Sequence, residues 1–121
     1  MKVASAKQKG RKFQQWVMGL LIETLGIHPE DMESRSMGAG GEDLIMARAA
    51  RALFPFSIEC KNVEKLNFWE AYKQAEANAG KYEPVVFARR NYQKPLVLVD
   101  AEYFVNLVKG MSDGNTHPQV C

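Results

Sequence analysis

Ser57-Ile58-Glu59-Cys60-Lys61-Asn62 is the stretch on which the reading of this chain turns. With Phe56 before it, the segment has the character of a short buried strand, yet it carries an acid and a base two residues apart. Successive strand side chains point to opposite faces. Glu59 and Lys61 therefore share one face, about 6–7 Å apart, while Ile58 and Cys60 take the other, expected to be the core side. Such a pair is either a surface ion pair on a strand edge or half of an active site, and an acid-x-Lys triplet alone fits both.

Working outward, Leu44 to Met46 reads as a second short strand, with Arg48 and Arg51 lying between it and Phe56 to Cys60. The two strands are expected to be antiparallel if the connection is hairpin-like, although the alanine-rich middle also suits a helical turn. Upstream, Phe13, Trp16, Val17, Leu20 and Leu21 recur at helical spacing between Gln8 and Leu25, and Gly26 is placed to end that helix. Downstream, Asn67 followed by Glu70 resembles a capping box and opens a helix that runs to Gly80. "PVVFARR" and "PLVLVD" then read as strands separated by the polar turn "NYQK", and Asp100 caps a last helix, "AEYFVNLVKG". This order implies an α/β (α+β) fold: a mixed central sheet flanked by helices. Trp16, Phe68 and Trp69 sit at helical positions and are expected in the core rather than as base-stacking platforms.

The bounds agree with one small domain. A chain of 121 residues that is 46% hydrophobic buries one core. Residues 1–110 are expected to form that domain, with a basic N-terminal arm, and 111–121 a polar, disordered tail. No apolar run is long enough to span a membrane, and the basic N-terminus has no apolar stretch behind it, so neither a membrane span nor a secretory signal is expected. Cys60 and Cys121 are expected as free thiols in the cytoplasm. His28 and His117 belong to no metal-spaced cluster. The glycines of "MGAGGED" fit neither phosphate-binding pattern, so no nucleotide cofactor is expected. Lys2, Lys7, Lys9, Arg11 and Lys12 place five cations and no acid in the first twelve residues. Such a run suits a polyanion such as nucleic acid, although by itself it fits a solvated terminus better.

If Leu44 to Met46 pairs with Phe56 to Cys60, Asp43 lies near Glu59. Two carboxylates and a backbone carbonyl, such as that of Cys60, make a hard oxygen site suited to Mg²⁺ or Mn²⁺. A lysine beside it can stabilise charge developing on a phosphate.

Asp43, then Glu59-Cys60-Lys61, resembles the D…(D/E)-x-K signature of the PD-(D/E)XK nuclease superfamily. "KGRKFQQWVMGLLIETLG", "RSMGAGGEDLIM" and "IECKN" together resemble its small branch, which includes Holliday junction resolvases and stand-alone phage nucleases. The resemblance implies a restriction-endonuclease-like core and a Mg²⁺- or Mn²⁺-dependent endonuclease acting on branched or replication DNA. It also implies a homodimer, in the host cytoplasm if the chain is phage-encoded. It assigns Asp43 and Glu59 as metal ligands with the Cys60 carbonyl, and Lys61 as the catalytic lysine. Gln74 matches a glutamine carried on the helix after the E-x-K strand; a helical wheel puts Glu70, Gln74 and Asn78 on a polar stripe beside Phe68, Ala71, Tyr72, Ala75 and Ala79, which also fits a plain solvated edge.

Two positions depart from that pattern. Glu42 stands where the family name has proline. Gln14 stands where resolvase-like enzymes carry a glutamate that completes the metal site; it flanks the apolar arc beside Leu21, whereas Gln15 points outward. Glu23 lies about 13 Å further along the axis, on the opposite flank. Gln14 is therefore expected to act as a neutral, water-mediated contributor. Lys9, Arg11, Lys12, Arg35, Arg48 and Arg51, with Arg89 and Arg90, are the candidates for backbone phosphates. The competing readings are a non-catalytic nucleic-acid-binding module that keeps the fold, and a structural protein in which Glu59 and Lys61 are only an ion pair.

Overall fold

The computed structural model describes residues 3–35 and 40–112, with side chains from residue 6 onward. Helix α1 spans Val3–Leu25. It ends at Gly26, whose φ of 72° closes the last turn in a conformation glycine adopts freely. A single 3-10 turn, Pro29–Asp31, follows, with His28 Nδ1 accepting from the Glu30 N–H at its start. Then come β1 (Met32–Ser34), β2 (Leu44–Met46), α2 (Arg48–Leu53), β3 (Phe56–Asn62), α3 (Phe68–Ala79), β4 (Glu83–Arg89), β5 (Leu96–Leu98) and α4 (Ala101–Ser112). The protein is mixed α+β, with its strands in two small sheets.

The larger sheet has the order β3-β4-β5, with β3 and β4 parallel and β5 antiparallel to β4. A parallel pair needs a crossover, and α3 provides it. Ile58, Val85 and Phe87 face one side, where Phe13, Val17 and Leu21 of α1 join Met32, Leu44 and Met46 in the main core. Val86 and Ala88 face the other side, under Ala71 and Ala75 of α3. Because both faces are covered, Ser57 and Glu59 are buried along with Ile58.

The expected hairpin between Leu44 to Met46 and Phe56 to Cys60 does not form. β2 pairs instead with β1, antiparallel, through Met32↔Met46 and Ser34↔Leu44. The alanine-rich connection is the helix α2, which uses the residues a hairpin turn would need. Asp43, just before β2, ties the two sheets together: its N–H donates to Ile58 O at 2.9 Å and its carboxylate accepts from the Cys60 N–H.

Three further expectations change. The basic arm is helical, since α1 starts at Val3 and carries Lys7, Lys9, Arg11 and Lys12; Lys2 lies outside the described residues. α4 extends through Met111 and Ser112, and residues 113–121, with His117 and Cys121, lie outside the described residues. Trp69 is not in the core: it is 79% exposed, and Trp16 is 43% exposed, stacked on the buried Phe13.

Candidate active site

Asp43 reaches β3 without belonging to its ladder. Its N–H is spent on Ile58 O, and its Oδ2 accepts from the Cys60 N–H at 2.6 Å. This hydrogen bond fixes the carboxylate against the edge of β3. The N–H and C=O of a strand residue lie on the same edge, so the Cys60 carbonyl also faces Asp43 rather than the β4 ladder.

Glu59 arrives from the strand face beneath α3. Its Oε2 lies 3.6 Å from Lys61 Nζ, as expected for side chains two apart on one face, and its Oε1 is buried without any hydrogen-bond partner. Burial pushes the Glu59 carboxyl up to about 7; the nearby Asp43 charge adds to the shift and Lys61 opposes it. Asp43 is raised as well, chiefly by burial, against the Cys60 N–H, Lys61, Arg35 and Gln14, which favour its charged form.

Gln14 is buried on α1, and Gln15 beside it is exposed. Gln14 Oε1 accepts from Ser34 Oγ at 2.6 Å, and its side chain lies near enough to the Asp43 carboxylate to favour the charged form. With the oxygen taken up by Ser34, the amide N–H groups are what Gln14 can offer to Asp43 or to a water beside it.

Gln74 lies on the exposed edge of α3. With Lys61 it lines a surface hollow of about 580 Å³ that also takes in Lys65, Asn67, Glu70 and Lys73. The small Ala71 and Ala75 bring α3 close enough to the sheet for this to happen. Sequence reasoning missed Lys65 and Lys73. Lys73 was findable, because positions 70, 73, 74 and 77 form one stripe on a helix.

The arginines divide. Arg35 Nε donates to Glu42 O at 2.6 Å, and its guanidinium lies across Gly41, where an added Cβ would come within 2.9 Å of it. Arg51 is withdrawn from any phosphate role: it pairs with Glu42, donates to Phe56 O at 3.0 Å and stacks over the Tyr82 ring at 4.2 Å. Glu42 also accepts from the buried Ser57 Oγ at 3.0 Å, so the acid in the proline position anchors structure. Arg11, Lys12 and Arg48 are exposed, and Lys9 pairs with Glu64 at 3.7 Å.

A divalent cation suits this donor set. Two repelling carboxylates with raised pKa values and an oxygen lacking any donor are relieved by a positive ion. Among the described residues no group of three or more His, Cys, Asp or Glu side chains is placed to hold a metal, so donors beyond Asp43 and Glu59 would be backbone carbonyls, water or substrate oxygens. Cys60 is a free thiol whose pKa is pushed up by burial and by both carboxylates, which leaves it a poor ligand.

Comparison with protein-family models, with curated proteins and with solved structures returned no match. Among the described residues no helix is long and apolar enough to cross a membrane.

Proposed function

We propose that the protein is a Mg²⁺- or Mn²⁺-dependent DNA endonuclease that hydrolyses phosphodiester bonds in branched or replication DNA in the cytoplasm. The observation that carries this reading is the pair of half-buried and buried carboxylates, Asp43 and Glu59, with Glu59 Oε1 unpartnered and Lys61 Nζ 3.6 Å from Glu59 Oε2. Asp43, Glu59 and the Cys60 carbonyl would hold the ion. When bound, it supplies Lewis-acid activation of water and neutralises phosphate charge.

The side chains do the rest. Lys61 places a cation where charge develops on the phosphate oxygens. The Cys60 N–H holds the Asp43 carboxylate against β3, and Gln14 beside it favours the charged form. Gln74, Lys65 and Lys73 give the hollow beside Lys61 polar and cationic groups for the DNA backbone, which bind without reading sequence. A homodimer is part of the proposal; α4 supports it, with no buried residue and five large apolar side chains in solvent.

One observation favours a second reading. Gln14 stands where the resemblance calls for a third carboxylate, and its oxygen is engaged by Ser34. A fold retained for binding alone fits that loss.

Incubation of branched, nicked and linear duplex DNA with Mg²⁺ or Mn²⁺ separates the two. Cleavage is expected from the wild type and reduced by about 100-fold or more in Glu59→Ala and Lys61→Ala. Cleavage persisting in both variants removes the site assignment, and salt-dependent binding without cleavage supports the second reading.

A further inference from the structure

Beyond the C-terminal ends of β3 and β4 lies a second hollow, of about 300 Å³. It adjoins the Lys61 hollow, since Val63 and Leu66 line both. Its floor is apolar, made by these two with Phe68 and Leu96. Arg89, Arg90 and Lys94 make it cationic, and none of the three takes part in the salt bridges found among the described residues. Arg89 Nε and Oδ1 of its cross-strand neighbour Asn62 are both buried with no hydrogen-bond partner. A partly buried guanidinium outside any ion pair is a favourable partner for an anionic oxygen from a ligand.

The turn beside this hollow carries a further oddity. Tyr92 is 99% exposed and has a φ of 64°, a backbone conformation rare for residues other than glycine. Its ring is not used by the fold. The turn is nonetheless held in place: Asn91 N–H donates to Glu64 Oε2 at 2.9 Å, and Lys9 of the basic α1 pairs with the same carboxylate. Trp69, next to Phe68 on the first turn of α3, is also turned to solvent.

An apolar floor, a cationic wall and a solvent-facing ring match one unstacked nucleotide: base on the floor, phosphate on the arginines, adjoining base on the ring. A base stacked inside a duplex cannot enter. An acidic peptide would use the cations but leave the rings and the floor without a role. We propose that this hollow takes an unpaired nucleotide of the DNA substrate, so that the protein prefers strands that are gapped, single-stranded or branched beside the bond presented to Asp43 and Glu59. The bond presented to Asp43 and Glu59 rests on the nuclease reading; the hollow's preference for an unpaired nucleotide does not.

The test is fluorescence anisotropy with the full chain in Ca²⁺, using a labelled duplex with a short gap and the fully paired duplex of the same sequence. Wild type is expected to bind the gapped DNA about tenfold more tightly. That ratio should fall to within about twofold of unity in Leu96→Trp, which fills the floor from an exposed strand position, and in Tyr92→Gly, which removes the ring while relieving the positive φ. Far-UV circular dichroism reports folding of both variants. Equal wild-type affinity for the two DNAs, or a ratio retained in both variants, overturns the proposal. Cleavage of paired duplex without gap preference overturns it and leaves the nuclease reading standing. Gap preference lost in the variants, with no cleavage under Mg²⁺ or Mn²⁺, supports it and removes the nuclease reading. Absence of any DNA binding overturns both.

Discussion

At Glu59, burial and the neighbouring Asp43 both oppose the charged form, and Lys61 offsets them only in part, so the carboxyl titrates at about 7. In the unfolded chain the same group titrates near its ordinary value of 4.5. Between those values the native state holds a proton that the unfolded chain has released. The stability this group contributes is therefore present below the unfolded pKa and lost as pH rises through about 7. Asp43 is shifted in the same direction. The melting temperature without metal is expected to fall by several degrees from about pH 5 to about pH 8, and Glu59→Gln should flatten that fall. A rise over the same interval would contradict the burial of this carboxylate. Added Mn²⁺ should reverse the loss at the alkaline end, since a ligand of the native state alone stabilises it. Strand alternation made the pairing of Glu59 with Lys61 legible from sequence. The partners of Gln14 and Arg51 were not: an arginine reads the same whether it faces water or a buried glutamate, and Ser34 sits on a strand only three residues long.

The helix α3 shows how an element carries a site it does not itself contain. Asn67 Oδ1 caps it by accepting from the Glu70 N–H at 3.2 Å, and the helix spans Phe68–Ala79 as its pattern predicts. Ala75, with no exposure, lets it lie close over Val86 and Ala88. Ala75→Leu should cost about 1–3 kcal/mol in urea unfolding and lower cleavage as well, because Gln74 moves away from Lys61 when the helix lifts. Loss of stability with full activity would show that Gln74 is an ordinary solvated residue. The caps and the 3.6-residue period made this helix readable. β1 was unreadable because Met32–Ser34 sits in a polar stretch with too few residues to show alternation, and its pairing decides that β2 does not form a hairpin with β3. Asp43 still comes to the strand that carries Glu59, through an edge contact with Ile58 and Cys60 rather than through a hairpin.

Across the whole molecule, apolar surface is unevenly distributed. Val97 on the edge strand β5 and Phe104, Val105, Leu107, Val108 and Met111 on α4 are all exposed. At roughly 100 Å² each they offer on the order of 600 Å², the larger part of the ~800 Å² per partner of a standard interface. On the proposed nuclease reading, a second copy meeting this face through a two-fold axis would give the assembly two cleavage sites. Light scattering should give twice the chain mass at micromolar concentration, and Val105→Glu with Val108→Glu should return it to the monomer mass; a wild-type monomer at all concentrations would contradict this. The dimer depends on the site only for its use. The site depends on one claim, that Asp43 and Glu59 together hold a divalent ion. Mn²⁺ titrated into the protein calorimetrically at about pH 8 measures that claim directly, because Asn at position 43 still accepts from the Cys60 N–H and keeps the edge contact in place. The account predicts one Mn²⁺ per chain, weakened about tenfold or more in Asp43→Asn. No binding by the wild type, or equal binding by the variant, would contradict it.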